Sequence, residues 1–102
     1  MGKVFNVMKE KTDDRPLDIH DYLVKHPAST FFMKMEGDGP EGSGIEKGDV
    51  LVVDRAVVAK RGCIVVVAVD GEMKVGKFTK SSDVDEEMIL WGVVTGLVRQ
   101  IN

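Results

Sequence analysis

The spacing of hydrophobic positions changes several times along the chain, and each change marks an element. From Leu17 to His26 (LDIHDYLVKH), Ile19, Tyr22, Leu23 and His26 recur at i, i+3, i+4 and i+7, which predicts a short helix with one apolar face. Asp18 is placed to cap it, Asp21 puts negative charge in its first turn, and Pro27 ends it. Thr30 to Glu36 (TFFMKME) alternates, with Phe31, Met33 and Met35 on one face and Lys34 and Glu36 on the other, as a half-buried strand does. Val50 to Asp54 (VLVVD) reads as a short buried strand. Cys63 to Val69 (CIVVVAV) is continuously apolar and mostly β-branched, which predicts a central strand. Asp70-Gly71 predicts a tight hairpin, because both central positions of a type I′ turn take positive φ. In the returning strand, Glu72 to Phe78 (EMKVGKF), Met73 and Val75 share a face and Phe78 breaks the alternation, so a bulge is expected near Gly76. Met88 to Ile101 (MILWGVVTGLVRQI) reads as one long strand or two, bent at Gly92 or Gly96, with apolar residues on both faces for part of its length. One face would meet the core and the other a partner subunit. The pattern as a whole describes a mainly-β domain, α+β only at its edge, with one short N-terminal helix ahead of about five to six strands.

The stretches between these elements carry other information. Met1 to Arg15 has no sustained period and reads as a flexible, extended arm ahead of a domain spanning residues 16–102. Val4, Phe5, Val7 and Met8 would dock the arm on the domain or on a second subunit. Thr79 to Glu87 (TKSSDVDEE) is polar and acidic but lacks the ligand order and central glycine of a calcium loop, so it reads as a solvated connection. Between Met35 and Asp54 lie five of the chain's eleven glycines. The loop from Gly37 to Gly48 is therefore the first place to look for a site, since glycines mark unusual backbone angles or close backbone approach.

Composition narrows the function classes. A chain of 102 residues builds one domain with a modest core. Its net charge of −3, with scattered Lys and Arg, provides no basic face for nucleic acid. The single cysteine, Cys63, excludes an intramolecular disulfide and a thiolate metal cage, and fits a reducing cytoplasm. His20 and His26 are six residues apart and share no helix face, so no metal site is expected, and nothing in the chain calls for a cofactor. There is no apolar h-region at the N-terminus, and the run Cys63 to Val69 is too short to span a bilayer. A soluble, cytoplasmic protein with no membrane partner is the expectation.

Taken together, LDIHDYLVKHPASTFFMKMEGD, GIEKGDVLVVDRA, GCIVVVAVDGE and WGVV resemble, in order and spacing, the UmuD/LexA family of the serine peptidase S24 group. The resemblance runs from Leu17 to the C-terminus and is nearest to the processed form of the UmuD branch. The resemblance implies that the long arm ahead of the self-cleavage site would have no counterpart here and that the chain would begin about where the processed form does. It implies a LexA/UmuD-like β-clip domain. It also implies a nucleophilic serine in a Gly-Asp-Ser-Met loop and a lysine base after the pattern Asp-Gly-Glu-x-x-Val. Here the loop reads Gly37-Asp38-Gly39-Pro40, which puts Gly39 at the nucleophile position, and the base position falls on Gly76. A serine hydroxyl needs a base, and a lysine serves only when desolvation keeps it neutral. With both side chains absent, no catalytic residue is expected, and Gly37, Asp38 and Pro40 would line the remaining cleft.

Ser43, Lys74 and Lys77 are the substitute candidates. Lys74 shares a strand face with Gly76 but sits about 6.6 Å along it. Lys77 should point to the other face unless a bulge turns it. The connection before the last strand is also shorter than in the family, which removes part of the cleft wall.

The resemblance implies a catalytically inactive, UmuD-like accessory subunit of an error-prone, translesion DNA polymerase in the SOS response to DNA damage. It would pair with itself or with an intact UmuD-like protein through Met88 to Ile101 and Met1 to Met8. A UmuC-like Y-family polymerase and a RecA filament would be its further partners. The alternatives are a residual Ser-Lys autopeptidase using Ser43 with Lys74 or Lys77, and a regulator pairing with LexA-like repressors. No helix-turn-helix is present, so direct sequence-specific DNA binding is not expected.

Overall fold

A computed structural model describes residues 18–79 and 88–101. The expected arm, its boundary with the domain and most of the acidic connection lie outside the described residues. Helix α1 spans Ile19–Leu23, and a 3₁₀ turn follows at Pro27–Ser29. The strands are β1 Thr30–Lys34, β2 Val50–Asp54, β3 Ile64–Val69, β4 Glu72–Lys77 and β5 Met88–Val98. All neighbours pair antiparallel in one five-stranded sheet of order β1-β2-β5-β3-β4. The mainly-β, β-clip-like expectation is met.

Strand β5, the last of the described strands, lies at the centre of the sheet, which explains its two apolar faces. Val93 is buried on one side, and Val94 and Leu97 pack against the core cluster on the other. A partner is therefore not needed to cover this middle portion. Ile89, Leu90 and Val98, toward the strand's two ends, are exposed.

Strand β2 is covered on both faces, as the run VLVVD suggests. Leu51 and Val53 join Ile45 and Val66 in the core cluster. Val52, on the opposite face, is fully buried and lies across from Gly96. Leu23 of α1 comes within 3.5 Å of where a Cβ on Gly96 would sit, so the helical segment covers that face.

Two expectations are corrected. The helix is shorter than Leu17–His26, and its apolar face is not the one the spacing suggests. Asp18 does cap it, accepting from the His20 and Asp21 N–H groups. The chain leaves the helix after Leu23, however, and Val24 is extended at φ −104°, ψ 102°. The i+7 repeat is never propagated, so Ile19 and Tyr22 remain exposed while Val24 is buried, only 7% exposed.

The bulge expected near Gly76 is also absent. Pairing runs from Ile64↔Lys77 to Val69↔Glu72 without a shift, and Phe78 N–H extends it by donating to the Cys63 carbonyl at 2.8 Å. The irregularities fall instead in β5. Trp91 is the extra residue between the pairs Val66↔Gly92 and Val67↔Leu90. Thr95 is the extra residue between Val52↔Gly96 and Val53↔Val94. Both bulges sit beside the glycines at which a bend was expected, and β5 remains one strand. Gly92 is required there, since a Cβ would lie 2.8 Å from Val53 Cγ1. The hairpin between β3 and β4 turns as expected, with φ 50° at Asp70 and 79° at Gly71.

Candidate functional site in the glycine loop

The loop between β1 and β2 is a built structure. Its base is closed by Met35 N–H donating to the Asp49 carbonyl at 2.8 Å and Gly48 N–H donating to the Met35 carbonyl at 2.9 Å. Pro40 to Ser43 form a turn, with Ser43 N–H donating to the Pro40 carbonyl at 3.0 Å. Gly42, at φ 81°, supplies the positive angle that a type II turn needs at its third position. Asp38 Oδ1 accepts from Lys47 N–H at 3.2 Å.

A charged clamp holds the far end of the loop. Asp49 is 1% exposed, and Arg99 donates to both its carboxylate oxygens at 2.7 Å, while Glu46 N–H adds a third bond at 2.8 Å. The Arg99 guanidinium, with help from that backbone donor, outweighs burial and lowers the Asp49 pKa to about 2. Pairing with Asp49 correspondingly raises the pKa of Arg99.

Gly39, the nucleophile position implied by the resemblance, is closed to side chains. Its N–H donates to the Ile45 carbonyl at 3.0 Å. A Cβ at residue 39 would lie 2.6 Å from Ile45 Cβ, 2.9 Å from Ile45 Cγ2 and 3.1 Å from Ser43 Oγ. Gly76, the implied base position, has no atom within 4 Å of where its Cβ would be. A side chain fits at residue 76 but not at residue 39.

The substitute candidates separate. Strand alternation puts Lys74 and Gly76 on one face of β4 and Met73, Val75 and Lys77 on the other. Lys77 nevertheless reaches the loop without a bulge, because its own face is the one turned toward Ser43. Ser43 and Lys77 line one hollow of about 240 Å³ with Glu41, Gly42, Gly62 and Ile64. The Ser43 hydroxyl accepts from Ile45 N–H at 3.2 Å, and Lys77 is exposed. Lys74 instead lines a larger hollow of about 760 Å³ between the edge strands, with Gly37, Asp38, Met33, Met35 and Met73. Gly39 and Pro40 line neither of these hollows.

Three groups escaped sequence reasoning. Arg99 and Asp49 form the clamp. Asp54 is the third, buried with only 3% exposed at the end of an apolar strand. Burial pushes its pKa up, but His26 Nδ1 at 2.6 Å, Ala56 N–H at 2.8 Å and Ser29 Oγ at 3.2 Å together lower it. This cluster ties the 3₁₀ turn to β2, and Arg55 N–H adds a bond to the Ser29 carbonyl at 2.8 Å. An acid closing the run VLVVD was the available signal. Among the described residues, no group of three or more His, Cys, Asp and Glu side chains could hold a metal ion, and no helix is long and apolar enough to cross a membrane.

Comparison with known proteins agrees with this scaffold. The peptidase S24-like family model matches residues 3–89. MucA of Salmonella typhimurium is 34% identical over 100 residues, which cover 81% of this chain and 68% of MucA. ImpA of Shigella flexneri is 40% identical over 62 residues, covering 61% of this chain and 43% of ImpA. The LexA repressor of Shewanella baltica is 37% identical over 64 residues, covering 63% of this chain and 31% of the repressor. With a family model spanning most of its length and UmuD-like and LexA relatives at these identities, the chain belongs to the peptidase S24-like family.

Proposed function

We propose that this protein is a UmuD-like SOS mutagenesis protein that works without peptidase chemistry, as an accessory subunit of an error-prone polymerase. The observation that carries the loss of catalysis is the closure of residue 39. Ile45 occupies the space a nucleophile would need, and Gly76 offers no amine. The UmuD-like relatives support the SOS mutagenesis reading. In this role the chain pairs with itself or with an intact UmuD-like protein in the cytoplasm, using its N-terminal arm and the exposed ends of β5. It then binds a UmuC-like Y-family polymerase, with a RecA filament as a further partner. The groove lined by Gly37 and Asp38 is retained for binding. Co-purification with a UmuC-like polymerase tests the role. Absence of a complex, where an intact homologue forms one, removes it.

One observation favours a second reading. Ser43 and Lys77 share a hollow, so a rebuilt Ser-Lys peptidase would use Lys77 rather than Lys74. The exposure of Lys77 counts against it, because a lysine that activates a hydroxyl needs a desolvated, apolar setting. Incubation at alkaline pH with a UmuD-like arm supplied in trans distinguishes the two readings. A product lost in Ser43→Ala supports the peptidase. No product, or product unaffected by that change, removes it.

A further inference from the structure

Arg99 stands one residue past the end of β5 and grips the glycine loop on both sides of Ile45. Its Nη2 donates to the Gly44 carbonyl at 2.6 Å, just before Ile45. Its Nη1 lies 3.5 Å from Glu46 Oε2, just after Ile45. Its Nε and Nη2 hold Asp49, whose carboxylate in turn holds the Glu46 N–H. Ile45 is the residue that fills the space above Gly39. Val98 and Ile101, on either side of Arg99, are 46% and 89% exposed, so the segment carrying the guanidinium is open to a partner.

We propose that Arg99 is a positioning residue that locks the loop in the form where Ile45 closes residue 39, coupling the end of β5 to the cleft. A planar fork is what the task requires, since one group must meet two carboxylate oxygens and a carbonyl at once. Asp49 is buried, so the loop cannot leave the guanidinium without stranding a desolvated charge. Whatever draws the end of β5 away therefore loosens the loop. The lock stands whether or not a polymerase is the partner.

Residue-resolved amide hydrogen exchange on the full chain tests it. In Arg99→Gln, the amides of Gly39, Ser43, Ile45 and Glu46 should exchange at least about tenfold faster, the scale of a lost hydrogen bond to a charged group. The amides of Val52 and Val66 should keep their rates. Arg99→Lys retains the charge without the fork and should give intermediate loop rates. It also serves as the test variant if Arg99→Gln does not fold. Unchanged loop rates overturn the proposal. So does an equal acceleration at every amide, which would reduce Arg99 to a contributor to global stability.

Discussion

Replacing Gly39 by serine supplies the residue type that the family resemblance implies at this position, and the contacts around Gly39 resist it. The new Cβ would sit 2.6 Å from Ile45 Cβ and 2.9 Å from Ile45 Cγ2, where carbon atoms pack best at about 3.5–4.0 Å. Ile45 is only 6% exposed and packs among Leu51, Val53 and Val66, so it has little room to retreat. The hydrogen bond from Gly39 N–H to the Ile45 carbonyl also resists separation of the two backbones. Overpacking of this kind costs about 1–3 kcal/mol. Loss of glycine's freedom in the unfolded chain returns about 0.4–1 kcal/mol, leaving a net destabilisation of about 1–2 kcal/mol. For a domain of this size that lowers Tm by roughly 4–16 °C. Urea unfolding followed by Trp91 fluorescence is a suitable assay, since this sole tryptophan packs edge-on against Phe31 and under Arg55. The midpoint should fall with no change in slope. Gly76→Lys, entering open space, should stay within about 0.5 kcal/mol of the parent. A Gly39→Ser protein as stable as the parent would refute the claim that Ile45 closes the site.

Further outcomes follow from the same contacts. Asp49 has a folded pKa of about 2 against an ordinary value of 3.8, so its contribution is complete above pH 3.8 and is lost as pH falls toward about 2. Arg99→Gln should shift the acid-unfolding limb to higher pH, as read by circular dichroism between about pH 2 and 7. His26→Ala removes one of three donors to Asp54. Because the imidazole is half exposed, the expected loss is about 1 kcal/mol in chemical denaturation, and no loss would mean that the pair is idle. Gly92→Ala places a Cβ 2.8 Å from Val53 Cγ1 and should cost about 1–3 kcal/mol by the same measurement.

Much of the fold was legible because it rests on short-range rules. The turn at Asp70-Gly71 and the runs VLVVD and CIVVVAV name their own structure, and the glycines of β5 marked where the strand is irregular. The helix was misread because its apolar spacing counted His26, which in the folded chain belongs to a different turn and answers to Asp54. The bulge was misplaced because Phe78 looked out of phase, whereas the pairing simply continues through it. The candidate site was half legible. Motif order could locate Gly39 and Gly76, but the closure of residue 39 depends on Ile45 folding back across the loop. The clamp depends on Arg99, fifty residues beyond Asp49. Strand alternation correctly set Lys77 on the face opposite Gly76, but the direction in which that face looks is a property of the whole curled sheet.

The position of β5 has a consequence for how the chain acquires its structure. β1 and β2 form one antiparallel pair and β3 and β4 another, and no direct pairing joins them; β5 lies between and bonds to both. It is also the last of the five strands in chain order. Two-stranded pieces are marginal in water, so neither pair has a durable fold before β5 arrives. During synthesis the two pairs must therefore wait with open strand edges until β5 emerges. Folding then becomes one late event dominated by contacts distant in sequence, of the kind that is slow and exposed to aggregation. Truncation just ahead of Met88 would leave two hairpin-like fragments rather than a smaller domain.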